Sequence, residues 1–288
     1  MEQSALTAIF LPLALGIIML GLGLSLTIAD FTRIVKYPKA ALIGLSCQML
    51  ILPIVCLLIA QGFGLAPELA VGLMLLAASP GGATANLYSH LSKGDVALNI
   101  TLTAVNSILS LFTLPLIINF SMEYFMGAGQ FIPLQFSKII QVFAIVLIPV
   151  SIGMFIKNRS ESFALKMDKP VKLLSIIFLV LIIVAAVLKE RAKVGEYFQE
   201  VGLAALAFNL ASLSVGYFIP LWLKLGKREA ISIGMEIGIH NGTLAIAIAS
   251  SPLILNNSTM AIPPAIYSLI MFFTAAAFGW WVSRKSAK

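Results

Sequence analysis

Charged side chains are what this chain has least of. Asp, Glu, Lys and Arg together make up 11% of its 288 residues, against about 25% in an ordinary soluble domain. So few charges cannot coat a water-facing surface of that size, and a soluble enzyme or binding module is the first class excluded. Cysteine and histidine are scarcer still, at two each. Cys47 and Cys56 fall on one apolar stretch, about 13 Å apart if it is helical, beyond the reach of a disulfide. They read as buried structural thiols. No HExxH and no Cys-His cluster occurs, which points away from a transition-metal site. No nucleophile–base pair stands at an informative position either, so the chain is not read as an enzyme.

What is present is overwhelmingly apolar. Hydrophobic residues make up 60% of the chain and run along its whole length, so many membrane spans are expected. Crossing a hydrocarbon core of about 30 Å takes about 20 apolar residues. Nine such spans fit, at 8–28, 38–60, 68–89, 96–119, 135–156, 170–188, 201–223, 229–250 and 263–283. The opening MEQSALTAIFLPL has no basic leader and no small-residue cleavage site, so it reads as the start of the first span. Alternate connections hold most of the basic residues, such as Arg33, Lys36 and Lys39, then Lys157 and Arg159, then Lys224, Lys227 and Arg228. The opposite side keeps Lys138, Lys189, Arg191 and Lys193. That bias predicts an amino terminus outside and a cytoplasmic carboxyl terminus, in a plasma (inner) membrane. The net charge of +7 is therefore topology, and no nucleic-acid partner is expected. Trp280 and Trp281 near the end of the last span suit an interfacial anchor.

Two of the spans interrupt themselves. The third contains SPGGATAN at residues 79–86, and the eighth contains GIHNG at 238–242. Pro80 removes a donor, and Gly81 and Gly82 admit backbone conformations that other residues avoid. Non-helical backbone at membrane depth survives only inside protein or beside a watery cavity. One break alone could be an ordinary kink. Each break, however, is central in a similar trio: 38–60, 68–89 and 96–119, then 201–223, 229–250 and 263–283. The trios start an odd number of spans apart and run oppositely through the membrane, as in an inverted-repeat transporter. Crossing near the midplane, two broken helices would bring peptide N–H groups toward an anion and carbonyls toward a cation.

Buried polar residues cluster around those breaks. Glu236 lies about 11 Å into the eighth span, and no Lys or Arg lies deeper in that stretch to neutralise it. An intramembrane acid is a functional residue by default, although a protonated Glu tied to a neighbouring helix would be the plain structural account. Asn99, Thr103 and Asn106 share one helical face. Asn86 follows the first break, Asn241 sits in the second, and Gln48 is buried in the second span. Any one of them could be ordinary interhelical glue. Together with Glu236 they suggest oxygen-rich coordination of a hard cation. His240 follows Glu236 by one turn, whereas His90 reads as loop-facing.

The stretches GIIMLGLGLSLTIADF (16–31), SPGGATANLYSHLSKGDVAL (79–98), TLTAVNSILSLFTLPLI (101–117) and EIGIHNG (236–242) resemble the bile acid:sodium symporter family. The likeness runs nearly end to end and is to the nine-helix members, since the chain begins at what matches the family's second helix. It implies an all-α polytopic membrane protein built of inverted repeats, with a panel domain (1–30 and 134–190) and a core domain (38–120 and 200–288) whose broken helices cross. It implies a first sodium site at Asn86, Asn99, Thr103 and Glu236, with Ala85 where the family often has Ser. A second site maps onto Gln48, Glu236, the carbonyls of Ile237 and Ile239, and His240, where many members have Gln.

The implied function is sodium-coupled symport of an organic anion, bile-salt-like or a smaller monocarboxylate, by alternating access with one or two Na⁺. The expected contacts of the anion are Thr84, Asn241 and Thr243. The last span offers Ser268 and Thr274 but no His-Asn pair, so bile salts need not be the cargo. The expected partners are the organic anion and the lipid bilayer, with no obligate protein partner evident. The alternative is a proton-coupled organic-anion transporter or exporter using Glu236 and His240. A passive channel is a third reading, which gradient-driven accumulation would exclude.

Overall fold

A peptide group facing lipid has no water to bond, so apolar runs fold as helices that satisfy their own backbone. The computed structural model describes residues 5–82, 84–127, 136–167, 170–171, 173–174, 177, 181, 194–252 and 254–284. Among them the fold is all-helical, without a strand. Four helices are long and apolar enough to cross a membrane: Pro38–Gly62, Val96–Met126, Gly195–Trp222 and Thr259–Arg284. A fifth is added if Leu15–Ser25 and Ile28–Lys36, bent by 72°, form one span. The span expected at 170–188 lies largely outside the described residues, as do Lys189, Arg191 and Lys193.

In chain order, the first long helix is α1 (Ala5–Ser25). It stops short of the expected residue 28, and the stretch read as a loop is helical at Ile28–Thr32 and again at Arg33–Lys36. The cause is local. The Asp30 carboxylate accepts from the Thr27 amide and hydroxyl, each at 2.7 Å, and pairs with Arg33 at 2.8 Å. That arrangement starts a new helix in a new direction. Lys157 donates to the Ser25 carbonyl at 2.5 Å and closes the end of α1.

Next come α2 (Pro38–Gly62), α3 (Pro67–Ala78), α4 (Thr84–Leu91) and α5 (Val96–Met126). Inside α2 one turn, Cys47–Ile51, is a π-helix, with the Leu52 amide bonding back to the Cys47 carbonyl. Pro53 supplies the reason, because it lacks the N–H that would bond one turn back and the wider turn absorbs the mismatch. Cys47 and Cys56 are both free and buried. α5 starts on an Asp95 cap, whose carboxylate accepts from the Leu98 amide, and runs past Pro115 beyond the expected residue 119. The later helices are α6 (Phe136–Arg159), α7 (Val194–Trp222), α8 (Lys227–Gly238), α9 (Gly242–Ser250) and α10 (Ile262–Arg284).

The half-helices α3 and α8 are the centre of the molecule. Every residue from Leu69 to Ala78, and every one from Ala230 to Gly238, is buried. α3 is apolar all round in that stretch and belongs in an interior; α8 joins it there despite Ser232 and Glu236, and α2, α5, α7 and α10 surround the pair. Those outer helices turn Leu42, Leu58, Leu116 and Phe273 outward, the face lipid would cover. α1 packs chiefly against α6, backbone against backbone. A Cβ on Gly23 would lie 2.2 Å from the Val150 carbonyl oxygen, and one on Gly153 would lie 2.6 Å from that of Leu20. Small residues permit such an approach between membrane helices. Gly23→Val should therefore lower the thermal unfolding midpoint in detergent, at a cost of about 1–3 kcal/mol typical of overpacking. An unchanged midpoint would contradict the close contact.

Candidate functional site

Two helix ends deprived of their next turn must find other partners for their peptide groups. α3 ends at Ala78, and Ser79 is extended. α8 ends at Gly238, and Ile239 leaves helical geometry. The two unwound segments then solve each other's problem. Gly81 and His240 form an antiparallel bridge, in which the Gly82 amide donates to the Ile239 carbonyl at 2.7 Å and the Asn241 amide to the Pro80 carbonyl at 2.8 Å. The breaks foreseen in the sequence are therefore in contact.

The remaining carbonyls at the two C-terminal ends are capped by side chains. Gln48 of α2 donates through Nε2 to the carbonyls of Ala77 and Ser79, at 3.2 and 2.9 Å. Asn209 of α7 donates through Nδ2 to the Gly238 carbonyl at 2.9 Å, and the Tyr267 hydroxyl donates to the same oxygen at 2.9 Å. The Thr274 hydroxyl bonds to Asn209 Oδ1. Each half-helix end is thus held by an amide from the long helix preceding it in the chain. At the start of α9, Asn241 Oδ1 accepts from the Leu244 amide at 3.0 Å, an N-cap of the usual kind.

Glu236 sits on one side of the bridge, 1% exposed. Thr103 Oγ1 donates to its Oε2 at 2.6 Å, and its Oε1 has no partner among the described residues. Gly81 makes room for it: a Cβ there would stand 2.1 Å from Oε1. Asn99 spends its Nδ2 on the Ser232 carbonyl at 2.8 Å, which leaves Asn99 Oδ1 unpartnered, as Asn86 Oδ1 is also. The Thr103 hydroxyl and Asn99 Nδ2 are engaged, and oxygens remain. Leaving a buried polar atom unpaired costs about 1–3 kcal/mol, and one carboxylate oxygen with two amide oxygens is the kind of set a hard cation binds. Among the described residues no His, Cys, Asp and Glu cluster suits a transition metal.

Across the bridge, His240 is buried between two rings, with centroids 5.6 Å from Phe208 and 5.5 Å from Tyr267. Its Nδ1 lies 3.3 Å from the Ser79 carbonyl. A carbonyl only accepts, so Nδ1 carries the proton and Nε2 is the free acceptor of the neutral ring. Nε2 and Gln48 Oε1 have no partner among the described residues, nor does Asn106 Nδ2. Ile237 and Ile239 are buried beside them. His90 is exposed, as expected of a loop-facing residue.

A cavity of about 260 Å³ lies between the bridge and the α1–α6 pair. Pro80, Asn241, Ala104 and Ser107 form its inner wall, and Leu22, Phe31, Val150 and Met154 its outer one. Among the described residues, no charged side chain lines it. Of the three residues expected to touch an anion, Asn241 lines this cavity; Thr84 is exposed and Thr243 half-buried, and neither lines it.

Sequence reasoning passed over Asn209, Ser232, Phe208 and Tyr267. Asn209 carried a usable signal, an amide deep in an apolar span, the same signal that pointed to Asn99. Ser232 precedes Glu236 by one turn and bonds Ser89 and the Asp95 carbonyl, each at 2.8 Å. The two rings carried no signal, since aromatic residues are common in such spans.

Comparison with known proteins places the chain among sodium-dependent transporters in sequence. The sequence profile of the Sodium Bile acid symporter family matches residues 12–196. The "Uncharacterized sodium-dependent transporter YocS" of Bacillus subtilis is 29% identical over 97% of this chain and 84% of its own length. The "Probable sodium/metabolite cotransporter BASS2, chloroplastic" of Oryza sativa is 28% identical over 94% of this chain and 63% of its own. The "Ileal sodium/bile acid cotransporter" of rabbit is 24% identical over 96% and 79%.

Gly81→Ala tests the side of the bridge that faces the acid. The added methyl should displace the Glu236 carboxyl, lower the unfolding midpoint and abolish stabilisation by sodium chloride relative to choline chloride in a detergent thermal-shift assay. Sodium stabilisation that survives the substitution would remove Glu236 Oε1 from any cation site.

Proposed function

The chain belongs to the sodium bile acid symporter family, and from that premise we propose that it is a sodium-coupled secondary transporter of an organic anion, working by alternating access. The observation that carries this reading is the set of buried, unpartnered oxygens at the crossing: Glu236 Oε1, Asn86 Oδ1 and Asn99 Oδ1. Sodium on these oxygens, with the Thr103 hydroxyl beside them, neutralises an acid that is otherwise expensive in the membrane interior. The same ion touches residues on both sides of the interruptions. Its presence favours the register in which they are bridged.

The anion occupies the cavity in front of the bridge, its charged end toward Asn241 and the start of α9. Helix N-termini favour negative charge. The apolar outer wall suits a cargo with a hydrocarbon body. Nine spans in inverted repeats support the motion. The panel (1–30 and 134–190) stays fixed while the core (38–120 and 200–288) rocks, in a plasma (inner) membrane with the amino terminus outside. Coupling requires that sodium bind one state better than the other, because equal affinity shifts nothing.

One observation favours a second reading. His240 Nε2 is buried without a partner near the acid-bearing helix end, so Glu236 and His240 are candidates for proton coupling. Uptake that follows a pH gradient in sodium-free buffer would establish it.

A thermal-shift screen of organic monoanions with and without sodium identifies the cargo as the compound that stabilises the protein only when sodium is present. In proteoliposomes, uptake of that anion should follow an inward sodium gradient. Glu236→Gln and Asn99→Ala should each reduce it by at least about tenfold, the equivalent of about 1.4 kcal/mol, while His90→Ala leaves it unchanged. Uptake that ignores the sodium gradient, with both variants active, would defeat the proposal.

A further inference from the structure

We propose that this chain carries one sodium ion per cycle, held on the Glu236 side of the bridge, and that Gln48 and His240 form an ion-free brace on the other side. Cotransport of a monoanion is then electroneutral. The inference rests on the transport reading above and deepens it.

A carbonyl oxygen has two lone pairs to give. On the His240 side the protein itself takes both at the Ser79 and Gly238 carbonyls and one at those of Ile239 and His240. The Ser79 carbonyl accepts from Gln48 Nε2 at 2.9 Å and faces His240 Nδ1 at 3.3 Å. The Gly238 carbonyl accepts from both Asn209 and Tyr267. The Ile239 carbonyl receives the Gly82 amide at 2.7 Å, and the His240 carbonyl receives the Gly242 amide at 3.0 Å. Among the described residues, the side-chain atoms left without a partner beside the ring are Gln48 Oε1 and a nitrogen, His240 Nε2. A hard monovalent cation prefers oxygen. The Glu236 side is the opposite case: Thr103 Oγ1 and Asn99 Nδ2 are engaged, while Glu236 Oε1, Asn99 Oδ1 and Asn86 Oδ1 have no partner among the described residues.

The ring cannot step aside for an ion. His240 is 1% exposed and packed against Phe208 at an interplanar angle of 20° and against Tyr267 at 65°. Moving it means giving up both ring contacts. Gln48 and His240 converge on the same Ser79 carbonyl, so these side chains tie the end of α3 to the second break.

The charge balance follows. Glu236 stays with the protein, and one sodium and one monoanion cross together with no net charge. The sodium gradient then drives uptake, and the membrane potential does no work on it. A second sodium would move one positive charge and make uptake sensitive to potential.

Radiosodium binding to the detergent-solubilised protein should saturate at one ion per chain. Initial uptake of the anion found in the thermal-shift screen should rise with sodium with a Hill coefficient near one. It should change by less than about twofold when an inside-negative potential is imposed with potassium and valinomycin. His240→Gln puts an amide oxygen where the ring nitrogen stood, and binding in that variant should rise toward two ions with uptake becoming potential-sensitive. Two bound ions, or a Hill coefficient near two with potential-driven uptake, in the unaltered chain overturns the inference and leaves sodium transport standing. A His240→Gln chain that binds sodium with unchanged stoichiometry removes His240 as the excluding group and overturns the brace. Absence of any sodium binding or dependence overturns the transport reading and this inference together, and is distinguished from the two-ion result by the missing sodium response.

Discussion

Two peptide hydrogen bonds, Gly82 to Ile239 and Asn241 to Pro80, are the constraint on which the rest of this structure depends. A break in a buried helix strands amides and carbonyls, each worth several kcal/mol where no water reaches them. A single broken helix would have to find side chains for all of them. Two broken helices facing each other need far fewer, because each supplies the backbone partner the other lacks. The arrangement works only if both halves are enclosed, which is why α3 and α8 are buried on every side and the long helices stand around them.

Enclosure in turn determines the polar chemistry. Gln48, Asn209 and Asn99 each use an amide nitrogen to satisfy a main-chain carbonyl. That use of donors is structural. Its by-product, where the side chain lies beside Glu236, is an oxygen with nothing to bond. Gly81 completes the corner by leaving the space that a Cβ would fill. On the proposed reading, the amide that ties Asn99 to α8 would also present its oxygen to the ion, so the two roles could not be altered separately.

The parts legible in the sequence were those that broke a local rule. Pro80 with two glycines, an acid within an apolar span, and Asn99, Thr103 and Asn106 along one face are all costly unless something compensates. They marked the breaks, and Glu236, Thr103 and Asn99 do meet there. The likeness of the PGG block to a known family added the same positions by a separate route. What stayed hidden breaks no rule. Phe208 and Tyr267 are unremarkable aromatics until they are seen against His240. The bend at Leu26–Thr27 depends on an Asp30–Thr27–Arg33 arrangement that reads as an ordinary loop, and the π-turn of α2 follows from one proline. The extension of α5 from the expected residue 119 to Met126 carries no marker in the sequence.

The glycine contact between α1 and α6 has a mechanical consequence. At Gly23 and Gly153 no side chain separates the two backbones, so there is no compressible layer to take up strain. The two helices flex as a single beam. A guest in the cavity beside them meets a wall of fixed curvature, and any adjustment in volume has to come from the opposite wall, where Pro80 and Asn241 belong to the bridged segments.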